Sequence, residues 1–533
     1  MSFKAKYIPY NHTGAFSGIV LDYLAHATRL RPFYAAPFGI EGVRKHIESR
    51  KSIPLNRELL VDELKKQYHA TDTSALVRAN IESLLQPGTF TVCTAHQPNI
   101  FTGHLYFIYK ILHAIKLADE LNAAIPENHF VPVYYMGSED ADLDELGNVQ
   151  VNGKVYKWET NQKGAVGRML VDQAFTGLID ELAGQLSVEH FGNEIISLVR
   201  KCYTINKTIE QSTFELVNAL FAAYGLVVFL PDNAAFKSAF IPVIKKELKE
   251  RFSNKLVKET IEALPQEYKI QVYGRDINMF YLKGDLRERI EAMDDGYSVV
   301  NTQLVFTNVE MEREIADHPE RFSPNVILRP VYQELVLPNV AFIGGGGELA
   351  YWLELKKVFE SVSVPFPVLV LRNSFMIIPA DVARKISAMG LSPEDFFAPA
   401  DDIYAALVKR ESVLNLHLAA EKDSVAVLYD SMKASATAVD VTLQRHVEAL
   451  KVQALKKIDN LEKKIFRAEK KKFEVQLLQA GKIKEALFPG GTLQERIDNL
   501  LPYYSKWGAG FIGNLLENSG GFEQQFCLME EQP

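Results

Sequence analysis

The sequence predicts an α/β fold: a parallel β-sheet with helices on its faces, two insertions in the sheet domain, and a C-terminal α-helical coiled-coil arm. Three observations predict it. From Phe90 onward, short β-rich runs ("FTVCTAH", "HFVPVYYMGSED", "GLVVFLPDN", "PFPVLVLRNSFMII") alternate with amphipathic segments, the rhythm of parallel strands joined by helical crossovers. Neither glycine nor proline occurs between Ala400 and Ala480, which removes the two strongest helix breakers from that stretch. Within it Leu443, Val447, Leu450, Ala454, Ile458, Leu461, Ile465 and Ala468 step by three or four, a heptad-like seam with one stutter.

Taken in order, residues 1 to about 85 place apolar positions at helical spacing, as in "IPLNRELLVDELKKQYHA", and read as helices packed beside the first strand. Thr91, Val92 and Cys93 read as a buried strand end, and Leu105, Ile108, Leu112, Ile115 and Leu117 mark the helix that follows. Two stretches of weak strand pattern and turn residues, about 152–170 and 254–308, read as insertions. Asp440 is a candidate N-cap for the long seam helix, so that an earlier helix folds back antiparallel against it. "FPGGTLQER" closes the arm, and the last forty or so residues, with "YYSKWG", return to the core. The plan is therefore a core unit at 1–385, an arm at 386–488 and a returning segment at 489–533.

A chain of 533 residues is too long for one core, and two or three packed units are expected. The net charge of −8 argues against general affinity for nucleic acid. Cys93, Cys202 and Cys527 are far apart with no CxxC, which supports neither a disulfide framework nor a cysteine zinc site and suits a reducing cytosol. No signal core and no membrane-length apolar run occurs, so the expected location is cytoplasmic, without a membrane partner.

Three loops carry candidate chemistry. In "AHQPNIFTGHLYF", His96, Gln97, Asn99, Thr102, Gly103 and His104 fill the gap between a strand end and a helix start, where ligands of α/β sheets bind. Two imidazoles and a tight glycine there suit phosphate binding; alternatively Gly103 makes the turn, Thr102 caps the helix and the histidines make ordinary hydrogen bonds. "YMGSEDADLDEL" sets Ser138, Glu139, Asp140, Asp142, Asp144 and Glu145 after a second strand. Carboxylates so close repel unless a cation, a substrate amine or a helix N-terminus shares their field. Glu139 and Asp140 are the candidates for an amine, whereas the spacing lacks the elements of a calcium loop. In "AFIGGGGELAYWLELKKVF", Gly344 to Gly347 let backbone approach a ligand, and Glu348 opens a helix carrying Tyr351 and Trp352; a flexible turn is the other reading. Arg329 and Arg372, beside β-rich runs, suit a carboxylate or phosphate clamp or a structural role equally. The basic run around Lys463 and Arg467 reads as a solvated face.

Together, "AHQPNIFTGHLYFIYKI", "YMGSEDADLDEL", "HPERFSPNVILRPVYQELVLPNVAFIGGGGELAYWLELKKVF" and the glycine-free arm resemble the cysteine-adding ligases of bacillithiol biosynthesis, in order from Phe90 to the C-terminus. The resemblance implies a Rossmann-like core with two connecting insertions, a coiled coil that forms a homodimer, and an enzyme joining L-cysteine to glucosaminyl malate. The family's glycine loop falls on His96, Gln97, Asn99, Thr102 and Gly103, often with glutamine at the position of His96 and proline at that of His104. Its Gly-Glu-Asp-x-Asp block falls on Ser138, Glu139, Asp140 and Asp142. Its Gly-Pro-Gly-Glu block falls on Gly345, Gly346, Gly347 and Glu348. The expected catalytic set is then His96, Gln97, Glu139, Asp140 and Asp142. Asn99, Thr102, Gly103, His104, Ser138, Arg329, Gly345, Gly346, Gly347, Glu348, Tyr351 and Arg372 are expected to bind substrate or nucleotide. Forming an amide from a free carboxylate is uphill in water, so ATP is the expected activator; no residue is assigned to a metal. Two other classes remain open: a nucleotidyltransferase with another acid and amine, and a non-catalytic dimeric scaffold, which would not need polar loops at strand ends.

Overall fold

The computed structural model describes residues 2–412 and 417–532; residues 413–416 of the predicted arm lie outside the described residues. Five strands make the central sheet: β1 (Thr89–His96), β2 (His129–Met136), β3 (Val227–Phe229), β4 (Asn339–Gly344) and β5 (Val368–Leu371). All are parallel, in the spatial order β5-β4-β1-β2-β3. Every residue of β1, β4 and β5 is buried, because helices cover a parallel sheet on both faces, and that is why these runs are apolar without alternation. The chain steps outward from β1 through β2 to β3 on one side and through β4 to β5 on the other. With right-handed crossovers this sends the two sets of helices to opposite faces, and a crevice opens at the carboxyl ends of β1 and β4.

The helix α1 (Leu105–Ala124) follows β1 and is buried along most of its length. Its residues Ala114, Leu117, Ala118 and Leu121 pack with Phe90 and Val92 of β1, Ile343 of β4, Val370 of β5, and Val43 and Ile47 of the N-terminal helix Ile40–Lys51. The first insertion holds the hairpin of Asn148–Val151 with Lys154–Lys157 and the turn Val166–Arg168. The second builds an antiparallel five-stranded sheet from Met279–Lys283, Leu286–Met293, Gly296–Val299, Val305–Thr307 and Phe322–Pro324. That sheet ends beyond the expected 254–308, and residues 254–263 lie in the helix Phe252–Ala263.

Three readings are corrected. Residues 1 to 85 do not begin as helix: Phe3–Pro9 is a strand antiparallel to Gln525–Glu531, in register from Phe3 with Glu531 to Pro9 with Gln525. Its partner lies at the other end of the chain, so no local pattern announces it. The run "PFPVLVLRNSFMII" is two strands, β5 and Ser374–Ile378, the second joining the terminal sheet. The run after Arg329, expected to be β-rich, is instead a helix, Arg329–Val336.

The chain divides into two units, Met1–Ile377 with Leu493–Pro533, and Ile378–Thr492, against the expected arm of 386–488. In the second unit α3 (Ala419–Val439) and α4 (Leu443–Lys470) form an antiparallel hairpin. Its register is written in ion pairs: Lys422 with Asp459 and Glu462, Asp430 with Lys451, and Lys433 with Glu448. Asp440 does not cap α4; its carboxylate accepts from Thr442 N and Oγ1, both at 2.8 Å, and shapes the turn between the helices. Lys463 and Arg467 lie on the exposed side of α4. Among the described residues no helix is long and apolar enough to cross a membrane.

His113 of α1 ties three segments of the first unit. Its Nε2 donates to Gly521 O at 2.6 Å, and its Nδ1 accepts from Asn373 N at 3.0 Å. Burial pushes its pKa down to about 4, and a second ring proton would face the Asn373 N–H. The unfolded chain takes up that proton near pH ~6.5. The stabilisation is therefore complete above that pH and is lost as the pH falls toward 4, at about 1.4 kcal/mol per pH unit. His113→Asn is expected to lose part of the fall in urea midpoint that the wild type shows between about pH 7 and about pH 5; an unchanged difference between the two midpoints would contradict this.

Candidate active site

At the carboxyl end of β1 the chain turns through Phe101, Thr102 and Gly103, all with positive φ, at 51°, 72° and 63°. Only glycine fits the last position, where a Cβ would stand 2.7 Å from Asn99 Cβ. A turn with two non-glycine residues in this region is strained, and Asn499 from the returning C-terminal segment holds it. Its Nδ2 donates to Phe101 O at 2.8 Å and to Gly103 O at 2.6 Å. The loop after β2 is held by the first insertion: Val166 N donates to Asp140 O at 2.7 Å and Gly167 N to Ser138 O at 3.0 Å. A Cβ on Gly167 would lie 2.5 Å from Ser138 O, so this approach requires glycine.

A cleft of about 680 Å³ opens where these junctions meet. The β1 junction contributes His96, Gln97, Tyr106 and Lys110, and the β2 junction Glu139, Asp140 and Glu145. The β4 and β5 junctions contribute Gly345, Gly346, Gly347, Glu348, Tyr351 and Arg372; Arg329 completes that wall. The second insertion closes the far side with Gln271, Val272, Tyr273, Arg275, Phe280 and Arg287. The carboxylate of Glu354, just beyond the helix α2 (Gly346–Trp352), anchors that segment by accepting from Gln271 N at 2.9 Å and Val272 N at 3.3 Å.

The other expected residues do not line the cleft. Asn99, Thr102 and Ser138 are buried. Asp142 caps the short helix Leu143–Leu146 by accepting from Glu145 N at 3.0 Å. His104 is the residue before α1, and its Nδ1 lies 3.2 Å from Ile497 O; burial and the nearby Arg496 hold its pKa below the ordinary value. Thr102 therefore does not cap α1, because the cap position is His104 and the helix starts at Leu105, three residues after Thr102.

Charge in the cleft is paired by side chains the sequence did not single out. Glu139 forms a buried ion pair with Lys237, whose side chain is fully buried. Asp140 accepts from Gln97 Nε2 at 3.2 Å and lies 3.7 Å from Arg287, whose guanidinium sits 3.9 Å above the Phe280 ring. The two carboxylates expected to meet an amine thus already meet protein cations. On the opposite wall the buried Lys110 donates to Ala95 O at 2.9 Å and pairs with Glu348, whose Oε2 also accepts from Gly345 N at 2.8 Å. Arg372 is paired with the buried Glu495 at 2.7 Å. Arg329 lies over the Tyr135 ring and bonds only Gln333 and Tyr351, with no carboxylate partner among the described residues. His96 is buried between Tyr106 and Phe107, and among the described residues its Nε2 has no hydrogen-bond partner. Burial, then Lys110, pushes its pKa well below the ordinary value, so the ring is neutral. Among the described residues no group of His, Cys, Asp and Glu is arranged to hold a metal ion.

The missed residues carried one signal: Lys110 in "LYFIYKILHAI" and Lys237 in "NAAFKSAF" are single lysines set in apolar runs, a placement that burial penalises unless a carboxylate waits. Asn499 carried none. Asn499→Ala removes both bonds to the strained turn and the bond its Oδ1 accepts from Leu501 N, at roughly 1 kcal/mol each. The urea midpoint is expected to fall and backbone hydrogen exchange in residues 99–105 to accelerate; unchanged protection there would show that the turn holds itself.

Comparison with known proteins agrees with this architecture. The family model described as the N-terminal Rossmann-like domain of bacillithiol biosynthesis BshC matches residues 3–373, and the model of the C-terminal coiled-coil domain of BshC matches residues 375–531. Relatives named "Putative cysteine ligase BshC" include one from Flavobacterium johnsoniae, 37% identical over 98% of this chain and 99% of its own. Others come from Christiangramia forsetii, 37% identical over 98% of each chain, and Flavobacterium psychrophilum, 38% identical over 98% of this chain and 99% of its own. With a Rossmann-like cleft at the switch point of the sheet and a helical hairpin unit behind it in sequence, the chain belongs to the bacillithiol biosynthesis family BshC.

Proposed function

We propose that this protein is a ligase that joins the carboxyl group of L-cysteine to the amine of glucosaminyl malate, giving the amide of bacillithiol. The observation that carries the reading is the division of charge across one cleft. One wall offers Arg329 and the Gly345–Gly347 backbone, which suit an anion, with Lys110 held against Glu348 beside them. The other offers Asp140, Glu139 and Glu145, which suit a group that arrives as an ammonium. A reaction between an activated carboxylate and an amine needs both. The name carried by the relatives, a cysteine ligase, supports the same reading.

ATP is the proposed activator, and the residues suit its phosphates. A Cβ on Gly347 would meet nothing within 4 Å, so the backbone there is open to a ligand. Among the described residues Nε2 of the neutral His96 has no hydrogen-bond partner, and Arg329 has no carboxylate partner. When bound, ATP supplies the free energy that amide formation from a free carboxylate lacks. The chain's own part is to neutralise charge with Arg329 and to hold Asp140 through Gln97 and Arg287 beside the amine. Purified protein given ATP, L-cysteine and glucosaminyl malate is expected to form bacillithiol by mass spectrometry. Cells lacking it are expected to lose the thiol and accumulate glucosaminyl malate. Unchanged thiol levels without that build-up would refute the reading.

We also propose that the hairpin makes a homodimer. With α3 already packed on α4, Leu443, Leu450 and Leu461 of the seam remain 39%, 38% and 51% exposed, and Val427 and Leu428 of α3 are exposed as well. An apolar edge of that length suits a second copy. Light scattering at micromolar concentration is expected to give twice the 60.1 kDa chain mass; a single-chain mass would rule the dimer out.

A further inference from the structure

We propose that Lys237 is a positioning residue: its buried ammonium fixes the Glu139 carboxylate at the cleft wall as the acceptor of the amine's proton. The inference rests on the amide-forming reading above and adds a residue that does not itself line the cleft. Lys237 belongs to the helix Ala234–Ser238 beyond β3, capped by Asn233, whose Oδ1 accepts from Ala235 N at 2.8 Å and Phe236 N at 3.2 Å. An ammonium taken out of water needs its donors engaged. Here Nζ donates to Glu139 Oε1 and, at 2.6 Å, to Phe322 O, and it lies 5.4 Å over the Tyr332 ring. Both partners are fixed, since Phe322 is in the antiparallel sheet of the second insertion and Tyr332 in the helix Arg329–Val336. Lys237 thus reads the position of three elements and delivers it to one carboxylate.

The groups around Glu139 explain why that carboxylate needs a cation. Asp232, between β3 and Lys237, is held by Arg168 of the first insertion through bonds of 2.6 and 2.7 Å. Glu210, of the helix Ile209–Phe221, is pushed up to about 8 by burial and then by Asp232, with Glu139 adding to the rise. Arg287 is shared with Asp140. Tyr135 and Tyr332 face the site as neutral phenols, their pKa values raised by burial. Burial raises the Glu139 pKa, Lys237 is the largest influence opposing that, and Asp232 adds to the rise. Without Lys237 the carboxylate would stand beside Asp232 and Glu210 and keep a proton of its own.

The step is a proton transfer. The amine arrives as R–NH₃⁺; one N–H bond breaks, its proton passes to a Glu139 oxygen to give the neutral acid, and the electron pair left on nitrogen forms the C–N bond with the acyl carbon of the ATP-activated cysteine as the carbonyl π pair moves onto oxygen. When the C=O re-forms, the bond from the acyl carbon to the phosphate oxygen breaks, the phosphate group leaves with that electron pair, and nitrogen gives its second proton to solvent. Glu139 then returns the proton to solvent.

The test compares Lys237→Met, Glu139→Gln and the double variant, reading kcat/KM for the amine substrate against pH. Lys237→Met is expected to lose about 100-fold near neutral pH, as a displaced general base does. Its acid limb is expected to move up by about one pH unit or more as Glu139 loses its counter-charge. The double variant is expected to be no worse than Glu139→Gln, because Lys237 acts only through that carboxylate. Infrared spectroscopy follows the same link without substrate: the C=O band of neutral Glu139, identified by its loss in Glu139→Gln, should titrate at higher pH in Lys237→Met. Should Lys237→Met fold poorly, Lys237→Gln keeps a donor for the Phe322 carbonyl and serves instead. An acid limb that does not move, additive losses in the double variant, or an unchanged infrared titration would each overturn the proposal. Should the wild type form no amide, the function reading falls, and an infrared titration unaffected by Lys237 would still overturn the Lys237–Glu139 link on its own.

Discussion

The withdrawal of charge from water at the carboxyl edge of the parallel sheet is the constraint on which the rest of the core unit depends. Lys110, Lys237 and Arg372 are buried there, and each is matched by a carboxylate from another segment: Glu348, Glu139 and Glu495. An unpaired buried charge costs several kcal/mol, and breaking such a pair typically costs about 3–5 kcal/mol. Each pair therefore tolerates only the arrangement that brings its two segments together. The sheet sets the crevice, and the charge pairs decide how the loops around it stand.

The insertions and the C-terminal segment follow from the same requirement. A loop that carries polar groups into a crevice cannot satisfy its own backbone there, and it must borrow partners. The turn at Phe101–Gly103 borrows Asn499, the loop at Ser138–Asp140 borrows Val166 and Gly167, and the segment at Gln271–Val272 borrows Glu354. The first insertion supports the site from behind, whereas the second supplies its far wall with Phe280 and Arg287. The terminal sheet of Phe3–Pro9, Gln525–Glu531 and Ser374–Ile378 brings the chain's last segment back to where Glu495 and Asn499 are needed.

The division of the cleft into a cationic and an acidic wall connects this architecture to ligation. Among the described residues, Nε2 of the neutral imidazole at His96 has no hydrogen-bond partner and Arg329 has no carboxylate partner, both on one side. On the other, the carboxylates are held in place by protein cations, and Asp140 remains partly open to the cleft. Such fixed dipoles and charges act most strongly where water is excluded, and the covering segment from the second insertion contributes to that exclusion.

The sequence by itself determined the elements whose signals are local. The strands around Val92, Val133 and Val370 are continuous apolar runs, α1 and the hairpin helices repeat at helical spacing, and the loops holding His96, Glu139 and Gly345 stand where strand gives way to helix; the resemblance to a known family rests on those loops. Only the tertiary structure decided which side chains act together. Lys237, Arg287, Glu495 and Asn499 reach the site from segments far away in sequence, and pairing over such distances leaves no periodic trace. The N-terminal strand was misread for the same reason, since its partner is the last strand of the chain. Whether Glu139 faces a substrate amine or a protein cation is likewise set by burial, and burial is a property of the packed elements, because removal from water makes each charge depend on whichever counter-charge the fold brings beside it.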